Sequence, residues 1–351
     1  ALMVNHNLPS RKPHDWVPPV PAFSARIAEP VTIAYYAIQQ RGSDKDLTAF
    51  RAWTQQLTTG ESAPEWRDCA EYTDENGYYT WVSIFYWRAG PEVYRAWTER
   101  SDFGALWNNA ERLEGDTGYY REVLHVPNER LETLYSHTEM DTGVGGKTGE
   151  HEGPIQAHNY WGSMRDRIPG SSSDDYSGGF SLTTEPQARS AGLGERVIAS
   201  GIDNLATIRS GELYDGLEGR EKEVYEAELE PSVREGMRYL RDNPVASGCL
   251  SCRHMDETSA SGQRIPRAFA VAHFDTLTRL EDWSESHPTH LRIFGRFVEL
   301  AQELQGNIRL RLWHEVIVSQ ADMQHFEYVN CHPLTGFLPY SSNLNVLTPT
   351  R

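Results

Sequence analysis

The alternation of apolar and polar positions divides most of the chain into two stretches with the same order of elements. In the first, VTIAYYAI from Val31 reads as a strand, and DLTAFRAWTQQL sets Leu47, Phe50, Trp53 and Leu57 on one helical face. Two strand patterns, Glu71 to Thr73 and Tyr78 to Trp87, flank the turn signal Glu75-Asn76-Gly77 and read as a hairpin. A helix opens near Pro91 with Val93 and Trp97, a further helical patch covers Ala105 to Leu113, and YYREVLHV closes the stretch as a strand. This β-α-β-β-α-β order is that of a split ferredoxin-like unit.

The order returns in the second half. DNLATIRS is its first strand, Arg220 to Asn243 its helical arm, RAFAVAHF the later strand of its hairpin, Leu277 to Leu304 its second helical region and IRLRLWHEVIVS its last strand. Letters repeat as well: Trp97-Thr98-Glu99-Arg100-Ser101 and Tyr119-Tyr120-Arg121-Glu122-Val123 find counterparts in Trp283-Ser284-Glu285-Ser286-His287 and Leu312-Trp313-His314-Glu315-Val316. A period near half the chain indicates a duplicated domain rather than a solenoid of short repeats. The expected fold class is α+β, with duplicated ferredoxin-like units forming a barrel-like core. The expected divisions are an extended N-terminal arm over 1–30, rich in proline from Pro9 to Pro21, a first unit over 31–150 and a second over 151–351. Gly145 to Pro154 and Pro169 to Gly194 are Gly-, Ser- and Thr-rich connections, too long for simple turns.

Composition narrows the partners. Thirty-three Lys and Arg against 50 Asp and Glu give a formal charge of −17, which repels a phosphate backbone, so nucleic acid is not expected. No apolar run approaches the roughly 20 residues that span a bilayer, and no signal peptide is read in ALMVNHNLPSRKPHDW, so a soluble protein is expected. Four cysteines cannot staple 351 residues, which points to the cytoplasm.

Two histidines stand out by position. In IRLRLWHEVIVS the alternation puts Ile308, Leu310, Leu312, His314, Val316 and Val318 on one face, so His314 lies within an apolar stripe. Such a histidine is either a satisfied core residue or a working one, and the repeat has Arg121 at the matching place. After Pro288, residues His290, Phe294, Phe297, Ala301 and Leu304 follow at helical spacing, so His290 leads an apolar helix face. That fits a core histidine, and it also fits a proximal haem ligand. Other features carry less. Cys249 and Cys252 have CxxC spacing, but Arg253 breaks the haem c pattern and no second pair completes a zinc site. His287 and His290 are three apart, but the intervening Pro288 favours a helix-start role for the first. Gly146-Lys147-Thr148 resembles the end of a phosphate loop, but Asp141 stands where that motif needs its first glycine. The acidic run EKEVYEAELE reads as a solvated helix face.

Six segments together resemble the haem-dependent aldoxime dehydratases: LETLY (131–135), HNYWGSMRDRIP (158–169), DNLATIRSG (203–211), ESHPTHLRIF (285–294), LRLWHEV (310–316) and FEYVNCHP (326–333). They keep the family's order and span most of the chain beyond the arm. The spacing between the two histidines is a few residues longer than the family's, around Gln302 to Asn307. The resemblance implies a dimeric α+β barrel type of fold, a homodimer, and haem b as cofactor, active as iron(II). It implies His290 as proximal iron ligand and His314 as distal acid-base group. Ser210 and Arg167 would lie beside the hydroxyl of an aldoxime substrate, and Glu132 near the distal histidine. The rival readings are a peroxidase-like or chlorite-degrading haem enzyme and a haem carrier or sensor without turnover.

Overall fold

The computed structural model describes residues 12–42, 46–148, 150–155, 164–187 and 192–340. Its strands and helices, in chain order, are β1 (Ser24–Ala25), β2 (Val31–Arg41), α1 (Thr48–Gln56), β3 (Trp66–Thr73), β4 (Tyr78–Trp87), α2 (Pro91–Thr98), α3 (Ser101–Trp107), β5 (Thr117–Val126), β6 (Leu131–Tyr135), β7 (His151–Glu152), β8 (Arg196–Ala199) and β9 (Leu205–Leu213). There follow α4 (Gly219–Val224), α5 (Glu230–Asp242), α6 (Pro244–Ser247), β10 (Cys249–Thr258), β11 (Arg264–Phe274), α7 (Leu277–Ser286), α8 (Pro288–Glu303), β12 (Arg311–Ser319) and β13 (Gln324–Val329). A π-helical turn, Tyr225–Leu229, joins α4 to α5. The patch expected over Ala105 to Leu113 is divided instead between α3 and a 3₁₀ turn at Ala110–Leu113.

Among the described residues, eleven strands form one antiparallel sheet in the order β6-β12-β9-β11-β10-β3-β4-β2-β5-β13-β8. Within it, β5-β2-β4-β3 and β12-β9-β11-β10 are the same arrangement of first to fourth strands, joined edge to edge through β3 and β10. The sheet cannot be flat. Strands β4 and β12 are five places apart, about 24 Å at a spacing of about 4.8 Å, yet the Tyr86 hydroxyl donates to Glu315 Oε1 at 2.7 Å. Likewise Arg253 on β10 bonds Glu122 on β5, four places away. The sheet therefore curls around an inner core to which both halves contribute, including Ile33, Ile84, Tyr120, Phe269 and Ile317.

Connections swap between the halves. β6 leaves the first stretch to pair with β12, and β13, at the far end of the chain, pairs with β5. The arm covers the exposed edge of β6: Phe23 and Tyr135 exchange backbone hydrogen bonds at 2.7 Å, which blunts an edge that could otherwise pair with another chain. The acidic run is not uniformly solvated. Glu221 is buried, and its carboxylate accepts the backbone N–H groups of Arg309 and Leu310, which pins the connection between α8 and β12. Among the described residues no helix is long and apolar enough to cross a membrane.

Candidate functional site

The outer face of the second half is set by strand register. His314 stands opposite Ser210, Ser210 opposite Ala270, and Ala270 opposite His254, so one row crosses β12, β9, β11 and β10. Directly opposed residues project from the same face. The flanking rows are Leu312, Glu212, Ala268, Asp256 and Val316, Ile208, Ala272, Cys252. β11 thus contributes three alanines in a line, a floor without side chains that rise from it.

The same rows in the first half are built differently. There Arg121, Tyr36, Ser83 and Cys69 form the central row, and Trp81 and Phe85 take the places of Ala268 and Ala272. Tyr36 packs edge-on against Trp53, Trp97, Phe103 and Trp107, with the last ring centroid at 5.2 Å, and the space under the helices is full. In the second half the alanine floor leaves a mainly apolar cleft, with a cavity volume of about 90 Å³, between the sheet and helices α5, α7 and α8. Ser210 and Gly211 line it from the sheet, and Trp283, His290, Ile293 and Phe294 from the helices.

Beside the cleft lies a chain of charged groups. Glu132 on β6 pairs with Val316, two residues along from His314, and so shares its face. Its Oε1 lies 2.6 Å from His314 Nε2, and its Oε2 accepts from Arg167 Nε at 2.9 Å. All three side chains are almost fully buried. Burial pushes the Glu132 carboxyl up, but Arg167 and then His314 overcome it and hold the group at about 2. An ionised carboxylate is therefore fixed against the imidazole at neutral pH, and buried charges persist only when paired in this way.

His290 reaches the cleft from the helical side. Pro288 occupies the first turn of α8, and the His287 ring caps the helix by accepting the N–H of Thr289. The His290 ring packs against Trp283 at 4.9 Å between centroids. Burial pushes this imidazole down to about 4, a hydrogen bond to the Ser284 carbonyl opposes the shift, and the charge of His314 adds to it. The ring is neutral at pH 7 with a lone pair to give, and a carbonyl partner orients it as backbone carbonyls orient metal-binding histidines. A floor of small residues and a neutral imidazole lining one apolar cleft fit a planar macrocycle, whose metal His290 would hold.

Of the residues singled out in the sequence, Ser210 and His290 line the cleft, from the sheet and from the helix layer, and the buried chain of Arg167, Glu132 and His314 meets it through His314, which stands opposite Ser210. Residues 158–163 of HNYWGSMRDRIP lie outside the described residues. Sequence reasoning passed over the alanine floor, although RAFAVAHF places Ala268, Ala270 and Ala272 at alternate positions. It also passed over Glu212, whose carboxyl lines the cleft and is pushed up by burial to about 8.

Comparison with known proteins places the whole chain in a family. The profile of haem-containing dehydratases matches residues 34–337. An aliphatic aldoxime dehydratase of Pseudomonas chlororaphis is 36% identical over 344 residues, covering 96% of this chain and 96% of that protein. A phenylacetaldoxime dehydratase of Bacillus sp. strain OxB-1 is 32% identical over 298 residues, covering 84% and 82%. A crystal structure of an aldoxime dehydratase in complex with butyraldoxime superimposes with a TM-score of 0.85 at 34% identity, over 95% of this chain and 93% of that one. The chain belongs to the haem-containing dehydratase family.

Proposed function

We propose that this enzyme is a lyase that dehydrates aldoximes to nitriles, with haem b held by His290 and His314 as the distal acid-base group. The observation that carries the reading is the Arg167–Glu132–His314 chain, which ends beside Ser210 at an apolar cleft that also takes the neutral His290 imidazole. Haem held there by His290 would supply an electron-rich iron able to support cleavage of the N–O bond without net oxidation. The protein's own groups do the proton work. Hydroxide leaves poorly, so protonated His314 gives its proton to the oxime oxygen, which departs as water. The Ser210 hydroxyl, directly opposite, hydrogen-bonds that oxygen and holds it within reach. Neutral His314 then takes the proton from the oxime carbon, which restores its starting state and leaves the nitrile. One proton is lent and returned in each cycle.

Glu132 holds the His314 ring in place through its hydrogen bond, while Arg167 fixes the Glu132 carboxylate and is itself suited to orienting the substrate oxygen. The same reading takes 31–150 and 151–351 as two copies of a ferredoxin-like unit, the second carrying haem, with the strand order and matched rows in support. It also carries a homodimer and a cytoplasmic location. Four free thiols, Cys69, Cys249, Cys252 and Cys331, are in keeping with a reducing compartment.

The test is an anaerobic absorption spectrum with a nitrile assay in the same sample. The reduced protein shifts its Soret band on addition of an aldoxime and forms nitrile, and His314→Ala keeps the haem spectrum and loses turnover. Haem binding without nitrile from any of several aliphatic and arylalkyl aldoximes overturns the reading.

A further inference from the structure

The CxxC pair has no part in the proposed dehydration, and its geometry is unusual for a strand. Residues three apart on a regular strand face opposite sides. At the start of β10, however, Cys249 pairs with Phe274 and Ser251 with His273, so β10 carries one extra residue in a β-bulge. The bulge turns both cysteines to the same side, where they join one apolar cluster with Leu240 and Phe274. The Cys249 thiol donates to the Ser251 carbonyl at 3.3 Å, within the segment that leads to Cys252. A third sulfur completes the group: Met237, on α5, has its Sδ 3.7 Å from Cys252 Sγ. The thiols are free and buried, yet Cys252 and Met237 also border a polar groove between α5 and the C-terminal segment that gives a path from solvent.

We propose that Cys249, Cys252 and Met237 form a binding site for one soft monovalent metal ion of the copper(I) or silver(I) class. Around an ion with metal–sulfur bonds of about 2.3 Å, as zinc makes, three sulfurs in a plane stand about 4 Å apart. The observed contact is near that already, so small side-chain rotations suffice. Two thiolates and a thioether are ligands that such ions prefer, whereas harder divalent ions want nitrogen and oxygen. Among the described residues no group of three His, Cys, Asp or Glu offers such an alternative. Binding displaces the two thiol protons and leaves the oxidation state of the metal and of the sulfur unchanged. Met237 also lines the haem cleft, so occupancy of the sulfur site fixes one side chain of that cleft.

The experiment is a titration of the reduced, haem-loaded protein with copper(I) under argon in competition with bicinchoninate, whose coloured complex reports unheld copper. One equivalent per chain is withheld from the dye, with sulfur-to-metal charge-transfer absorption in the ultraviolet. Met237→Leu weakens retention at least tenfold, Cys252→Ser abolishes it, and Cys331→Ser, at a buried thiol elsewhere, leaves it unchanged. The proposal falls if the native protein withholds no copper, or if the Cys249→Ser, Cys252→Ser double variant withholds as much. Should the serine variants fail to fold, Met237→Leu decides, since this nearly isosteric change disturbs packing little. Unaltered affinity in that variant overturns the three-sulfur site.

Discussion

Replacing Glu132 by Gln keeps the shape of the side chain and removes its charge. In the native protein this carboxylate lies between His314 Nε2 at 2.6 Å and Arg167 Nε at 2.9 Å, with all three groups buried. Its pKa is held at about 2 against an ordinary 4.5. At about 1.4 kcal/mol per unit, that depression corresponds to about 3 kcal/mol of stability at pH 7. The cost of breaking a buried ion pair from one side is of the same order, about 3–5 kcal/mol. The sign follows from the direction of the shift. A carboxyl with a depressed folded pKa stabilises above its unfolded value and loses that contribution as pH falls through the folded one. The gap between native and Glu132→Gln apoprotein is therefore widest above pH 4.5 and closes as pH falls from 4.5 toward 2. Urea unfolding at pH 7, 5, 4 and 3, followed by tryptophan fluorescence, measures it. Equal stability at pH 7, or a gap as wide at pH 3 as at pH 7, refutes the electrostatic account. In the haem-loaded enzyme the same variant leaves His314 without its carboxylate, and turnover falls by about 10²–10⁴-fold with haem retained.

Three further perturbations probe the cleft. His290→Ala abolishes stable haem uptake, read as the loss of the native Soret band on titration, while circular dichroism shows the fold intact; a native spectrum in this variant removes His290 as ligand. Ala270→Phe raises a ring from the centre of the floor, as Trp81 and Phe85 do in the first half, and cuts haem capacity without unfolding the sheet; undiminished capacity places the macrocycle elsewhere. Glu212 is folded with its carboxyl raised to about 8 by burial, so its contribution is intact below the unfolded value near 4.5 and is lost as pH rises through 8. Glu212→Gln therefore raises stability by about 1–3 kcal/mol at pH 7 and by less at pH 5, and a gain that is the same at both pH values contradicts the assignment.

The sequence alone determined the main elements of the two repeats, because their signals are local. Alternation in IRLRLWHEVIVS places His314 among apolar neighbours whatever the strand pairs with, and Pro288 followed by a helical stripe places His290 at the head of a helix face. The repeated β-α-β-β-α-β order is likewise a matter of periodicity, and both halves show it in their strand order. Only the tertiary structure decided what these residues meet. Glu132 comes beside His314 because β6, 182 residues away in sequence, pairs with β12 in a register that sets it opposite Val316. Nothing within either segment specifies that choice. The curl of the sheet brings Tyr86 to Glu315, and the exchange of β6 and β13 between the halves crosses the boundary that periodicity alone draws. The cleft belongs to the same class. Two strands of equal pattern, one with Trp81 and Phe85 and the other with Ala268 and Ala272, differ in side-chain volume rather than in polarity, so a reading of apolar and polar positions sees them alike. Volume acts only when a helix layer is packed over it, and that layer is where a filled core and an open site diverge.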